Sequence, residues 1–184
     1  MPHTVVSPTE VPVDEVPVRA PDGAAEERAA KRMVPRLRLV GEGILVDMAE
    51  GIVPDYREIE TAVLHLSFAY EGTEVAAADS ATHVSVKQGK GRRRIVRDFA
   101  AEARARQLLE SYGPVELDTL DTHAPMPDST ADYVVDLDGD LDSLCAFSST
   151  AVPKLRALGW HVEISDDYPC RVVNADSWYA SIDG

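Results

Sequence analysis

Ten residues in the middle of the chain, Thr61 to Tyr70, restrict its folding more than any other stretch. Ala62, Leu64, Leu66, Phe68 and Tyr70 recur at period two, and Val63, His65, Ser67 and Ala69 fill the alternate positions. A β-strand sends successive side chains to opposite faces, so this spacing predicts a strand with one wholly apolar face. A helix would scatter the same residues around its circumference. Such a strand needs partners, and the sequence offers several. Residues 36–40 (Arg-Leu-Arg-Leu-Val) alternate in the same way, and Glu74–Ala78 and Thr82–Lys87 read as shorter strands. Arg92–Val96 reads as the return of a hairpin whose turn, Gln88-Gly89-Lys90-Gly91, holds two residues able to take positive φ.

The period changes at Arg97–Tyr112. Phe99, Ala103, Leu108, Leu109 and Tyr112 fall roughly on one helical stripe, with Arg104, Arg106 and Glu110 outside it, and Gly113-Pro114 stops the helix. Residues 121–130 read as a loop and Asp132–Leu137 as a strand. A second helix is expected over Leu141–Leu158, ended by Gly159. Pro153 should kink it, or open a second helix capped by Ser149 or Thr150. Trp160–Ser165, Cys170–Val173 and Trp178–Ile182 read as strands, with a turn at Asp166-Asp167. The expected fold class is α+β: mostly antiparallel sheet with two main helices, about 97–112 and 141–158. Residues 1–30 differ in composition. Valine and proline alternate with acids there, which predicts a flexible, disordered arm ahead of an α+β domain at 31–184. Within that domain, 31–113 and 131–184 are expected as two subunits of structure.

Charge narrows the function. Of 184 residues, 18 are Lys or Arg and 32 are Asp or Glu, a net charge of −14. That balance argues against an autonomous nucleic-acid binder, because phosphate binding needs a positive surface. No apolar run approaches the ~18 residues of a membrane span, so no membrane partner is expected. Cys145 and Cys170 are too few for a disulfide scaffold and fit no zinc spacing, which points to a reducing cytoplasm.

One cluster breaks the acidic pattern. Lys87, Lys90, Arg92, Arg93, Arg94 and Arg97 hold six cations and no intervening acid, and taking them from the net −14 leaves −20 elsewhere. They are the candidate contact for a phosphate backbone or an acidic partner; the plainer reading is a solvated hairpin tip. No aromatic residue interrupts the cluster to stack bases.

Other candidates are weaker. The acidic run Asp136 to Asp142 fails as a calcium loop: its glycine falls fourth and its twelfth residue is Phe147, where such a loop needs glycine sixth and glutamate twelfth. It reads as a strand-to-helix turn whose acids cap the helix, with a metal-dependent hydrolase as the rival reading. The five histidines show no ligand spacing, although His65 and His83 could be neighbours across a sheet. Arg171 beside Cys170 is thin support for a nucleophile. No serine sits in a Gly-x-Ser-x-Gly elbow, and Gly89-Lys90-Gly91 lacks the spacing and hydroxyl of a phosphate-binding loop. No catalytic or metal residue is assigned.

Residues 152–179 are more specific. Val152-Pro-Lys-Leu-Arg-Ala-Leu-Gly-Trp160-His-Val-Glu-Ile164-Ser-Asp-Asp-Tyr-Pro169-Cys-Arg-Val-Val173, followed by Asp176-Ser-Trp178-Tyr-Ala, resembles a segment of large bacterial Swi/Snf-type (DEAD/DEAH-like) helicases, which are DNA translocases. Leu66-Ser-Phe-Ala-Tyr70 is similar to a Leu-Ser-Phe-x-Tyr strand of that family, and Arg97-Asp98 with Glu102 is similar to its Arg-Asp-x-x-x-Glu helix start. The resemblance covers roughly residues 33–183. It implies a non-catalytic accessory domain that lies ahead of an ATP-driven motor, with the motor lobes as partner, in cis or in trans. A weak contact with the backbone of double-stranded DNA is a further expectation. ATP and magnesium belong to the motor, whose motifs this chain lacks, so no cofactor is expected here. The zinc module often found ahead of such regions is also missing. The chain therefore reads as a fragment, a truncated frame or a split-off relative. Pro153, Gly159, Trp160, Tyr168, Pro169, Trp178 and Tyr179 carry the motif and are expected to do structural work. The alternative is a stand-alone acidic protein-interaction module with a basic partner.

Overall fold

The computed structural model describes residues 33–49, 51–137 and 140–170. The arm at 1–30, the strands expected beyond Cys170, and Trp178 and Tyr179 lie outside the described residues. The fold is α+β, with mostly antiparallel sheet and two helical units. Two 15-residue strands, β1 (Met33–Asp47) and β2 (Tyr56–Tyr70), pair along their whole length, from Met33 opposite Tyr70 to Asp47 opposite Tyr56. They form the centre of a seven-stranded sheet. β3 (Thr73–Ala76) pairs with β2. β4 (His83–Gln88) and β5 (Gly91–Val96) form a separate two-stranded sheet. Helix α1 (Phe99–Glu110) follows, then β6 (Val115–Glu116), a 3₁₀ turn at Leu117–Thr119, β7 (His123–Pro125) and β8 (Tyr133–Val134). The second helical unit is α2 (Leu141–Ala146), a π turn (Phe147–Ala151) and α3 (Val152–Ala157), and β9 (His161–Ile164) closes the order. β8 pairs with β2, and β9 lies parallel to β1, so these late strands join the sheet built on β1 and β2.

The period-two pattern of β2 lands as expected. Ala62, Leu64, Leu66, Phe68 and Tyr70 all enter the larger core, facing Leu37 and Leu39 of β1 and the residues of both helical units. The opposite face divides. Val63 joins Val40, Ile44, Leu117, Ala131 and Val134 in a smaller core, while His65 and Ser67 stay partly open. The loop expected at 121–130 contains β7, which pairs with residues 44–46 at the far end of β1.

In α1 the buried residues are Glu102, Ala105 and Leu109. The expected stripe needs correcting, because Phe99 and Ala103 are exposed. Asp98 caps the helix, its Oδ1 accepting the Ala101 N–H at 2.9 Å. In the second unit Pro153 sits in the first turn of α3, and neither Ser149 nor Thr150 caps it. Proline has no N–H for the carbonyl four residues back and its ring crowds that carbonyl, so the chain widens into one π turn just before it.

The end of α3 explains the Gly-Trp pair. Gly159 takes φ +89°. Its N–H donates to the Arg156 carbonyl at 3.0 Å, and the Trp160 N–H donates to the Leu155 carbonyl at 3.1 Å. This is the Schellman arrangement, and Leu155 and Trp160 both sit in the larger core. Tyr168 is buried too, its hydroxyl 3.3 Å from Ser148 Oγ, which itself donates to the Leu144 carbonyl at 2.9 Å. Pro169 is exposed. Cys145 and Cys170 are joined in a disulfide. Two cysteines, too few for a scaffold, still make one bridge, because pairing depends on which elements the fold brings together.

Candidate functional site

The basic cluster becomes the β4–β5 hairpin. Gly89 turns it with φ +57°, while Gly91 pairs opposite Gln88 within the ladder. Alternation then divides the cluster between two faces. Val84, Val86 and Ile95 point into the larger core, and Arg93 and Arg97 share the parity of Ile95. The outward face consists of three cross-strand pairs: His83 with Val96, Ser85 with Arg94, and Lys87 with Arg92. All six residues are exposed, as is Lys90 at the turn, and none is acidic. Three cations therefore share one open face, and Lys90 is exposed at its tip. Lys87 and Arg92 stand directly opposite each other, an arrangement that destabilises an isolated sheet by up to about 1 kcal/mol.

Arg93 and Arg97 do other work. The Arg93 guanidinium grips both carboxylate oxygens of Glu71. Glu71 lies in the β2–β3 turn, where it adopts φ +49° ahead of Gly72 at φ +84°. Arg97 leaves the expected contact surface altogether, since its side chain is fully buried. Its Nε donates to Glu102 Oε1 at 2.9 Å and its Nη2 to Glu102 Oε2 at 2.7 Å. Its Nη1 donates to the carbonyls of Asp79 and Ala81, and the guanidinium lies 4.8 Å from the centre of the Phe99 ring. The Tyr70 hydroxyl donates to Glu102 Oε1 at 2.5 Å and accepts the Asp98 N–H at 2.9 Å. Burial first, and that bond to a carboxylate second, push the Tyr70 phenol far up. The Arg-Asp-x-x-x-Glu pattern thus has a structural job: Asp98 caps α1, while Arg97 and Glu102 lock the foot of the hairpin to the helix.

A second feature leaves only a faint trace in the sequence. The open face of the large sheet holds a cleft of about 400 Å³, lined by residues of β1, β2, β3 and β9 and by Thr130 and Asp132. His65 Nε2 lies 3.0 Å from Glu42 Oε2, and Nδ1 lies 3.2 Å from Thr130 Oγ1. Arg36 Nη1 donates to Glu74 Oε2 at 2.6 Å, and Ser67 Oγ donates to Glu74 Oε1 at 2.5 Å. The Ser67 hydrogen bond first, and then Arg36, hold the Glu74 carboxyl below its usual range. Asp132 goes the other way. Burial raises its carboxyl, although Oδ2 accepts the Leu66 N–H at 2.6 Å. The odd-numbered residues of β2 carried the signal, since polar His65 and Ser67 interrupt an otherwise apolar face. The cleft's Arg36 and His65 already face carboxylates, whereas the hairpin's four outward cations face solvent.

The remaining candidates resolve simply. Asp140 caps α2, its Oδ2 accepting the Ser143 N–H at 3.1 Å, and those bonds from Ser143 lower its carboxyl. Asp138 of the same run lies outside the described residues. Among the described residues no group of three His, Cys, Asp or Glu side chains could hold a metal ion. His65 and His83 occupy different sheets, which corrects the expectation of a cross-sheet pair. No described helix is long and apolar enough to cross a membrane. The chain matches no family model, no curated protein and no solved structure.

Proposed function

We propose that the chain is a non-catalytic accessory domain of a bacterial Swi/Snf-type ATP-dependent DNA helicase or translocase. In this reading it docks on or positions the motor and touches the DNA backbone through the outward face of the β4–β5 hairpin. The observation that carries the DNA contact is that face: Lys87, Lys90, Arg92 and Arg94 exposed together with no acid among them. A polyanion would relieve the repulsion between Lys87 and Arg92 and release counterions as it bound. The motor half of the reading rests on the resemblance over 152–179 and on the helix start at Arg97 to Glu102. The net charge of −14 keeps the rest of the surface away from the duplex. It also suits docking on a basic motor lobe, and the place of work would be the cytoplasm. The chain alone should not turn over ATP.

Binding to a short duplex measured across a salt series tests the contact. Four phosphate contacts correspond to a slope of log affinity on log salt of about −3.6, and replacing Lys87, Arg92 and Arg94 with glutamine should flatten it to about −1. An unchanged slope would reject the hairpin as the contact.

A further inference from the structure

The disulfide ties the partly buried Cys145, in α2, to Cys170, just beyond the turn that follows β9. Three contacts gather that turn against the domain in sequence order. The Ser165 N–H donates to the Leu39 carbonyl at 2.9 Å. The Asp167 carbonyl packs so closely on Gly41 that a Cβ there would lie 2.2 Å away. Tyr168 is buried against Ser148. The disulfide comes one step later and spans 25 residues of sequence. It constrains the passage from α2 to the end of the turn and leaves the β1–β2 ladder to its own pairing.

We propose that Cys145 and Cys170 form a redox latch: oxidised, it fastens the chain leaving β9 to the second helical unit; reduced, it lets that chain go while the sheet stays folded. The reagent class is a low-molecular-weight thiol and its disulfide. A thiolate attacks the Cys145 sulfur, the bond between the cysteines breaks, and the electron pair leaves on Cys170, which takes a proton from water. A second thiol group then attacks the mixed disulfide, releasing Cys145 as a thiol and the reagent as its disulfide, so two electrons pass to the protein. The reverse exchange closes the latch. Cys145 is reachable for this attack and Cys170, nine-tenths buried, is not. In a thiol-rich compartment a disulfide serves as a switch more often than as a permanent brace.

The full chain, purified without reductant, should give a Cys145–Cys170 linked peptide on mapping. Millimolar dithiothreitol without denaturant should open it. Amide hydrogen exchange over 166–170 should then quicken about tenfold or more, with β1 and β2 still protected. Cys145→Ser should show the fast exchange from the start and ignore dithiothreitol. The latch is overturned by any of four results: no linked peptide, a bond that yields only in denaturant, unchanged exchange over 166–170 after reduction, or protection lost across β1 and β2 together.

Discussion

Gly41 shows how one residue records a long-range contact. In a strand it adds no packing and loosens the chain, yet its missing Cβ is the space that the Asp167 carbonyl fills. Gly41→Ala should therefore force the 165–168 turn outward and destabilise the protein by about 2 kcal/mol in denaturant unfolding; a loss within about 0.5 kcal/mol would mean the turn gives way freely. Asp132 offers a pH test. Burial raises its folded pKa above the unfolded value, so the stability linked to it is fully present in acid and is lost as pH rises through the folded value. Asp132→Asn keeps an acceptor for the Leu66 N–H and removes the titration. At pH 7 the variant should be the more stable of the two, and its advantage should shrink towards pH 4. An advantage independent of pH would show that Asp132 is not the titrating group. Glu74, whose carboxyl is lowered, contributes in the opposite sense: its stability is present above the usual carboxylate range and is lost in acid, in wild type and variant alike.

At the scale of elements, what could be read from the sequence followed the strength of its repeats. β2 was plain because ten residues keep one period. β1 was visible only over 36–40, because Gly43 and Gly41, the latter making room for the Asp167 carbonyl, interrupt its alternation. β6 and β7, of two and three residues, are too short to show any period. The inward turn of Arg97 was legible in principle, since parity with Ile95 puts it on the core side, but a run of arginines reads first as solvent-facing charge. Its buried bond to Glu102 makes the hairpin and α1 one mechanical unit. Arg97→Ala would leave the Glu102 carboxylate buried without its partner, at a loss of about 3–5 kcal/mol. Arg97→Ala together with Glu102→Leu should recover much of that stability. If the single variant costs less than about 1 kcal/mol, the clamp does not anchor the hairpin.

Over the whole molecule, the sheet divides the work. One face carries the larger core and the helices; the other is closed by a smaller core at one end and open at the cleft. The overall acidity was evident from composition, but the gathering of outward cations on one hairpin face needed the register of β4 and β5. The disulfide was invisible for a similar reason, because the fold rather than the spacing brings α2 beside the turn after β9. In the proposed reading, this hairpin face is where DNA touches the domain. Amide chemical shifts followed while a short duplex is added at low salt test it most directly. Perturbations should concentrate in His83–Val96, strongest at Lys87, Lys90, Arg92 and Arg94 and fading as salt rises. Perturbations centred on the cleft around Arg36 and His65, or none in the hairpin while the duplex binds, would contradict it.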